Sequence, residues 1–244
     1  FTQVEWYQAY GDYFDSMNMF EEVVETACLA VNGSTKINYI DTEIDFTRPW
    51  KRVKMVDAIK EKNGIDVLSM TKVEILKFMK DKEIDFDPAI SGNKGVLIAT
   101  LFEETCEEGL VQPTFVLDHP IDTTPLCKPL REYSLEQLEE MSKDPEKVIF
   151  VERFEPYINK WELGNSYTEL NDPVLQRRLL EDQVERGRGG EEETHPLDED
   201  FLRAIEIGMP PTTGVGLGVD RLVMLLTNSQ TIRDVLLFPL MRPL

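Results

Sequence analysis

Three glutamates stand seven residues apart in the stretch RFEPYINKWELGNSYTELND, at Glu155, Glu162 and Glu169. Carboxylates are hard oxygen ligands and the natural counter-charges for ammonium groups, so such a set suits a divalent cation, a cationic substrate, or both. The pattern around them is that of a hairpin. Tyr157-Ile158 and Trp161-Glu162 read as strand, with Asn159-Lys160 as a two-residue turn. In that register Tyr157 faces Glu162, and Glu155 shares their face because alternate residues do. The two carboxylates become diagonal neighbours, roughly 7–8 Å apart at the backbone, within reach of one cation. Left unpaired, they repel and the pKa of one rises. Asn165, Tyr167 and Glu169 alternate with the opposite parity, and Gly164 sits at the change of phase, where a bulge would bring both sets into one cleft. A solvated hairpin face is the ordinary alternative.

The elements that must position these residues belong to a chain of 244 residues, long enough to bury a sizeable core. Hydrophobic residues make up 41% and charged residues 30%, and no apolar run is long enough to span a membrane. Acidic residues outnumber basic ones 46 to 26, a net charge of −20, so a nucleic-acid partner requires a local basic groove or a separate domain. Cys28, Cys106 and Cys127 are odd in number and scattered. They read as reduced thiols of a cytoplasmic protein; with only His119 and His195 available, a structural zinc site is not expected.

Along the chain, FTQVEWYQAY alternates like a strand and opens without a preceding turn, which leads us to expect a segment upstream. Helical spacing runs from about Asp12 to Val31 and stops at Gly33. A hairpin is expected over 36–49, helices over 56–62, 71–82 and 94–109 (the last strongly amphipathic), and a loop over 84–95. Residues 113–118 read as a strand closed by a turn at His119-Pro120, and 132–147 as a charged, helix-prone surface insertion. Asp172-Pro173 opens a further helix, residues 187–194 form a loop, and Asp198 caps a helix ended by Gly208-Met209-Pro210-Pro211.

The run Gly214-Val-Gly-Leu-Gly-Val-Asp-Arg221 precedes an apolar helix. Spaced glycines let a ligand lie on bare backbone, and Arg221 in a first helical turn meets an anion there; close packing of helices is the competing reading. The dinucleotide fingerprint and the phosphate-loop lysine are both absent.

Together these segments resemble the class II lysyl-tRNA synthetases. FTQVEWYQAYGDY is similar to the second half of that class's motif 2. PTFVLDHP, RFEPYINKWELGNSYTELNDP and GLGVDRLVMLLTN…IRDVLLFPLMRP are similar to the strands and motif 3 of its catalytic domain. GxGxDR alone would indicate only the class, whereas NSYTELND with FTxxE points to the lysine branch. The resemblance implies an α+β catalytic domain over 1–244, an antiparallel sheet flanked by helices, with a helical insertion at 60–110 and a surface insertion at 128–150. It implies Glu5, Tyr7, Asn165, Tyr167, Glu169 and Gly214 around lysine, and Phe1, Gly218 and Arg221 on ATP, Phe1 stacking on adenine and Arg221 on the γ-phosphate. Glu155 and Glu162 would hold Mg2+ against the phosphates. Lysine, ATP and tRNA(Lys) are the implied substrates, and a cytoplasmic homodimer the implied assembly.

Motif 1, the first half of motif 2 with its α-phosphate arginine, and the anticodon-reading β-barrel have no counterpart in this sequence. These 244 residues alone are therefore expected to aminoacylate little, since one lost preorganised charge contact costs about 10²–10³ in rate. Two other readings stay open: a lysine ligase that modifies a translation elongation factor, to which Glu5-Trp6-Tyr7 is similar, and a non-catalytic synthetase-like binding protein.

Overall fold

The computed structural model describes residues 1–84, 86, 92–188 and 196–239. The first strand, β1 (Gln3–Ala9), leads into α1 (Tyr13–Asn32). Asp12 caps that helix, accepting from the Phe14 and Asp15 amides, while the Asp15 carboxylate returns to the Asp12 amide. Gly33 ends it at φ +69°, a left-handed conformation that glycine takes without penalty. A small hairpin follows, β2 (Lys36–Tyr39) with β3 (Thr42–Asp45). Next come β4 (Lys51–Lys54), α2 (Met55–Asn63), α3 (Lys72–Asp81), α4 (Lys94–Cys106) and β5 (Thr114–Pro120). The second half holds α5 (Leu135–Met141), β6 (Phe150–Ile158), β7 (Trp161–Glu162) and β8 (Gly164–Thr168). Helices α6 (Pro173–Arg188) and α7 (Glu199–Gly208) then lead to β9 (Thr212–Gly218) and α8 (Val219–Thr227).

The main sheet runs β1-β9-β8-β6-β5-β4, with β7 also paired to β6. Every pairing is antiparallel except β4 with β5, so the expected α+β architecture is the one observed. Its inner face carries Phe154, Val215 and Leu217 against the stripe Met17, Phe20, Val24 and Cys28 of α1, and against Leu222 and Leu225 of α8. Each such side chain removed from water contributes about 1.5–3 kcal/mol. Helices α2, α3 and α4 cover only part of the outer face, packing Leu97, Ile98 and Phe102 around Val116 and Tyr157. Over β8, β9 and β1 that face is left uncovered by them, and the step between covered and uncovered sheet is where the site lies.

Four local expectations change. Helix α4 is buried around most of its circumference, from Lys94 and Gly95 through Leu101 and Cys106, because it is wedged between the sheet and its neighbouring helices. Strand β5 does not turn at His119-Pro120: Asp118 takes φ +59°, a bulge absorbs the slip, and pairing with β6 resumes at His119. The glycine run is a strand, β9, and the helix after it begins at Val219. In the 128–150 segment, Lys128 lies between Thr168 and Glu152 through backbone hydrogen bonds, so only the part beyond Leu130 projects as an exposed insertion around α5. The expected loops at 84–95 and 187–194 fall largely outside the described residues. No helix among the described residues is long and apolar enough to cross a membrane.

Candidate active site

The turn at Asn159-Lys160 has both residues at positive φ, the conformation a two-residue hairpin requires, and it sets Tyr157 opposite Glu162. Further along, Phe154 pairs with Ser166 and Arg153 with Tyr167. Between the Tyr157–Glu162 and Phe154–Ser166 pairs lie two residues on β6 (155 and 156) and three on the other side (163 to 165). That extra residue is a bulge at Leu163–Asn165, and it reverses the parity. Glu162 therefore joins Asn165, Tyr167 and Glu169 on the outer face, with Arg153, Glu155 and Tyr157. Glycine is required at 164, where a Cβ would overlap the Gly216 carbonyl.

Strand β9 forms the floor. The register aligns Glu5, Gly216 and Asn165 in one row across the sheet, and Tyr7, Gly214, Tyr167 and Arg153 in the next. The glycines thus alternate onto the outer face while Val215 and Leu217 point into the core. A Cβ on Gly214 would overlap the Glu169 carboxylate and the Tyr7 ring, so its absence is what admits both groups.

Charge at this end is uncompensated among the described residues. Among the described residues nothing hydrogen-bonds or ion-pairs with the Glu169 carboxylate, and burial raises its pKa to about 7. The Tyr7 hydroxyl donates to Glu5 Oε2 at 3.1 Å, and burial, then Glu5 and Glu169, raise the pKa of Tyr7. Burial and then the charge of Glu169 do the same to Tyr167. Two carboxylates and two phenols thus converge with no lysine or arginine paired to either acid among the described residues.

A second acidic group lies along β6. Glu155 accepts from Arg153 Nη2 at 2.5 Å and from the Tyr157 hydroxyl at 2.9 Å. Burial pushes its pKa up, but His119, Arg153 and Tyr157 outweigh that and hold it below the ordinary carboxylate range. Glu162 goes the other way, to about 7, through burial and then the charge of Glu155, with Arg221 and Arg153 opposing. Arg221, in the first turn of α8, donates to the Glu162 carbonyl. The Tyr157 oxygen also lies 2.8 Å from Glu107 Oε1, just past the end of α4. A phenol has one proton, so it serves one of these carboxylates at a time, and burial raises Glu107. Among the described residues no three of His, Cys, Asp or Glu are grouped to hold a metal unaided, so a cation at Glu155 and Glu162 needs further ligands from a substrate.

Compared with known proteins, residues 1–242 match the family described as tRNA synthetases class II (D, K and N). The chain belongs to the class II tRNA synthetases. It is 44% identical over 245 aligned positions to a protein named lysine–tRNA ligase from Clostridium perfringens. It is 46% identical over 244 positions to proteins of that name from Thermosipho africanus and Streptococcus pyogenes. Each alignment takes in 100% of this chain and 45–46% of the relative, so the chain spans about half the length of the curated relatives it matches.

In this class II synthetase the residues expected from sequence fall into one continuous arrangement. Glu5, Tyr7, Asn165, Tyr167, Glu169 and Gly214 occupy the floor and wall at the β1–β9–β8 end, with Glu155 and Glu162 beside them. Gly218 caps α8 and pairs with Gln3, which brings the exposed Phe1 to the same edge as Arg221. Two participants were missed. Arg153 shares the parity of Glu155, and extending the alternation by two residues would have found it. Glu107 lies in a helical stretch with no signal of its own; only the packing of α4 on Tyr157 brings it in.

Proposed function

We propose that this domain is the lysine-activating centre of a lysine–tRNA ligase, and the Glu169 carboxylate, unpartnered among the described residues, is the observation that supports it most. A buried carboxylate with no cation is unfavourable unless a ligand supplies one, and an ammonium that leaves water needs such a partner. Glu5 and Glu169 receive the cationic ends of lysine, with Tyr7, Asn165, Tyr167 and Gly214 shaping the pocket. Arg221 holds the γ-phosphate of ATP, Gly218 leaves room beside it, and Phe1 stacks on the adenine.

The mutual repulsion of Glu155 and Glu162 fits a divalent cation, and these two residues would hold Mg2+. When bound, that ion neutralises phosphate charge. The lysine carboxylate attacks the α-phosphorus, an oxygen–phosphorus bond forms and pyrophosphate leaves, giving lysyl-adenylate. A hydroxyl of the terminal ribose of tRNA(Lys) then attacks the acyl carbon, an ester bond forms, and the acyl–phosphate bond breaks to release AMP. No protein nucleophile is required, because positioning and charge stabilisation do the work. A homodimer in the cytoplasm is part of the same reading.

The test is lysine-dependent ATP–pyrophosphate exchange by the natural full-length protein; exchange with another amino acid and not lysine would refute it. Gly214→Ala provides a second check. Its methyl group displaces Glu169 or Tyr7, so the lysine KM should rise about 10–100-fold while the ATP KM stays near wild type. An unchanged lysine KM would place lysine elsewhere.

A further inference from the structure

One side chain touches both halves of the site. Arg153 leaves β6 opposite Tyr167 and is only 13% exposed. Its guanidinium reaches three elements. Nε donates to Asn165 Oδ1 at 3.0 Å on β8, Nη2 to Glu155 Oε1 at 2.5 Å on its own strand, and Nη1 to Thr123 Oγ1 at 3.3 Å in the turn after β5. The group is a rigid planar fork, so its three partners cannot move independently. With Thr123 and Glu155 engaged, the direction of Nε is set, and with it the side-chain oxygen of Asn165. A lysine here would bring one nitrogen and no fork, and would leave at least one partner unserved.

We propose that Arg153 is a positioning residue that ties the amide of Asn165, on the lysine side, to the carboxylate of Glu155, on the cation side, so that both subsites depend on one guanidinium. The assignment rests on the proposed reading of those two subsites. Arg153 acts through its neighbours and touches neither substrate. The sheet supplies the geometric reason: without the bulge at Gly164, Asn165 would point into the core and Nε would have no partner on β8.

In the natural full-length protein, Arg153→Lys should weaken lysine binding about tenfold, read by calorimetry without nucleotide or metal. It should also raise the Mg2+ concentration for half-maximal pyrophosphate exchange about tenfold. Asn165→Ala should shift the first quantity alone and Glu155→Gln the second alone. A purely structural role would lower Tm and the active fraction without moving either constant. Arg153→Lys that shifts neither, or only one, overturns the proposal. Should that variant not fold, Thr123→Ala decides, because freeing one arm of the fork must raise both constants by about two- to fivefold. Wild-type protein that binds no lysine refutes the functional reading instead, and does so before any variant is made.

Discussion

Glutamine at position 169 is expected to weaken lysine binding by about 10²–10³-fold while changing the ATP KM by less than about threefold. The substitution keeps the shape of the side chain and removes only its charge, leaving the bound ammonium in a half-buried pocket without its main partner. The pH dependence gives the sign. The ε-ammonium stays protonated to about pH 10, so only the carboxyl group titrates in the accessible range. With the Glu169 pKa at about 7, lysine binding below that value must expel a proton. Affinity should therefore fall about tenfold per pH unit below about 7 and level off above it. Calorimetry from about pH 5.5 to about 8.5 would show this slope in the wild type and a flat line in Glu169→Gln. A flat wild-type profile, or a variant that binds lysine normally, would remove Glu169 from the pocket.

Glu162→Gln should separate activity from stability. Loss of one ligand to the cation that would neutralise the ATP phosphates is expected to lower kcat by about 10²–10³. The empty protein should gain stability. A carboxyl group whose pKa is raised on folding binds more protons folded than unfolded, so it has no adverse effect below the unfolded value. Its effect grows as pH rises through the folded value of about 7. At about pH 8 the glutamine removes that repulsion, a gain of about 1–2 kcal/mol after allowing for solvent screening, or roughly 2–6 °C in Tm. Near pH 4.5 the two proteins should melt together. An unchanged Tm at about pH 8, or a kcat within about tenfold of wild type, would contradict the role.

Much of this site was legible because it sits on strands with strict period two. Asn159-Lys160 fixes the register of Tyr157 against Glu162, and the parity clash between Glu162 and Asn165 calls for a bulge beside Gly164. Helix α1 was equally plain, with a capping aspartate at one end and a glycine at the other. What escaped depends on tertiary contact. The burial of α4 follows from neighbours on both sides of it, which periodicity alone does not reveal. Glu107 approaches the site only because Phe102 and Tyr157 pack together at the end of that helix. The Asp118 bulge gave no composition signal, since aspartate followed by His-Pro reads more readily as a turn.

The bulge at Gly164 also makes local chain length a determinant of strand shape. Most loops of a folded protein accept a lost or added residue at small cost, and their tips are where such changes accumulate. Between Glu162 and Asn165 the bulge decides which side chains face outward: with the same residues in regular alternation, Asn165 would face the core. A single-codon deletion there would leave two residues opposite Glu155 and Pro156, so plain alternation would keep Asn165, Tyr167 and Glu169 outward while the bulge itself vanished. What the extra residue supplies is thus the bend, and with it the close approach of β8 to the Gly216 carbonyl, rather than the facing of any one glutamate.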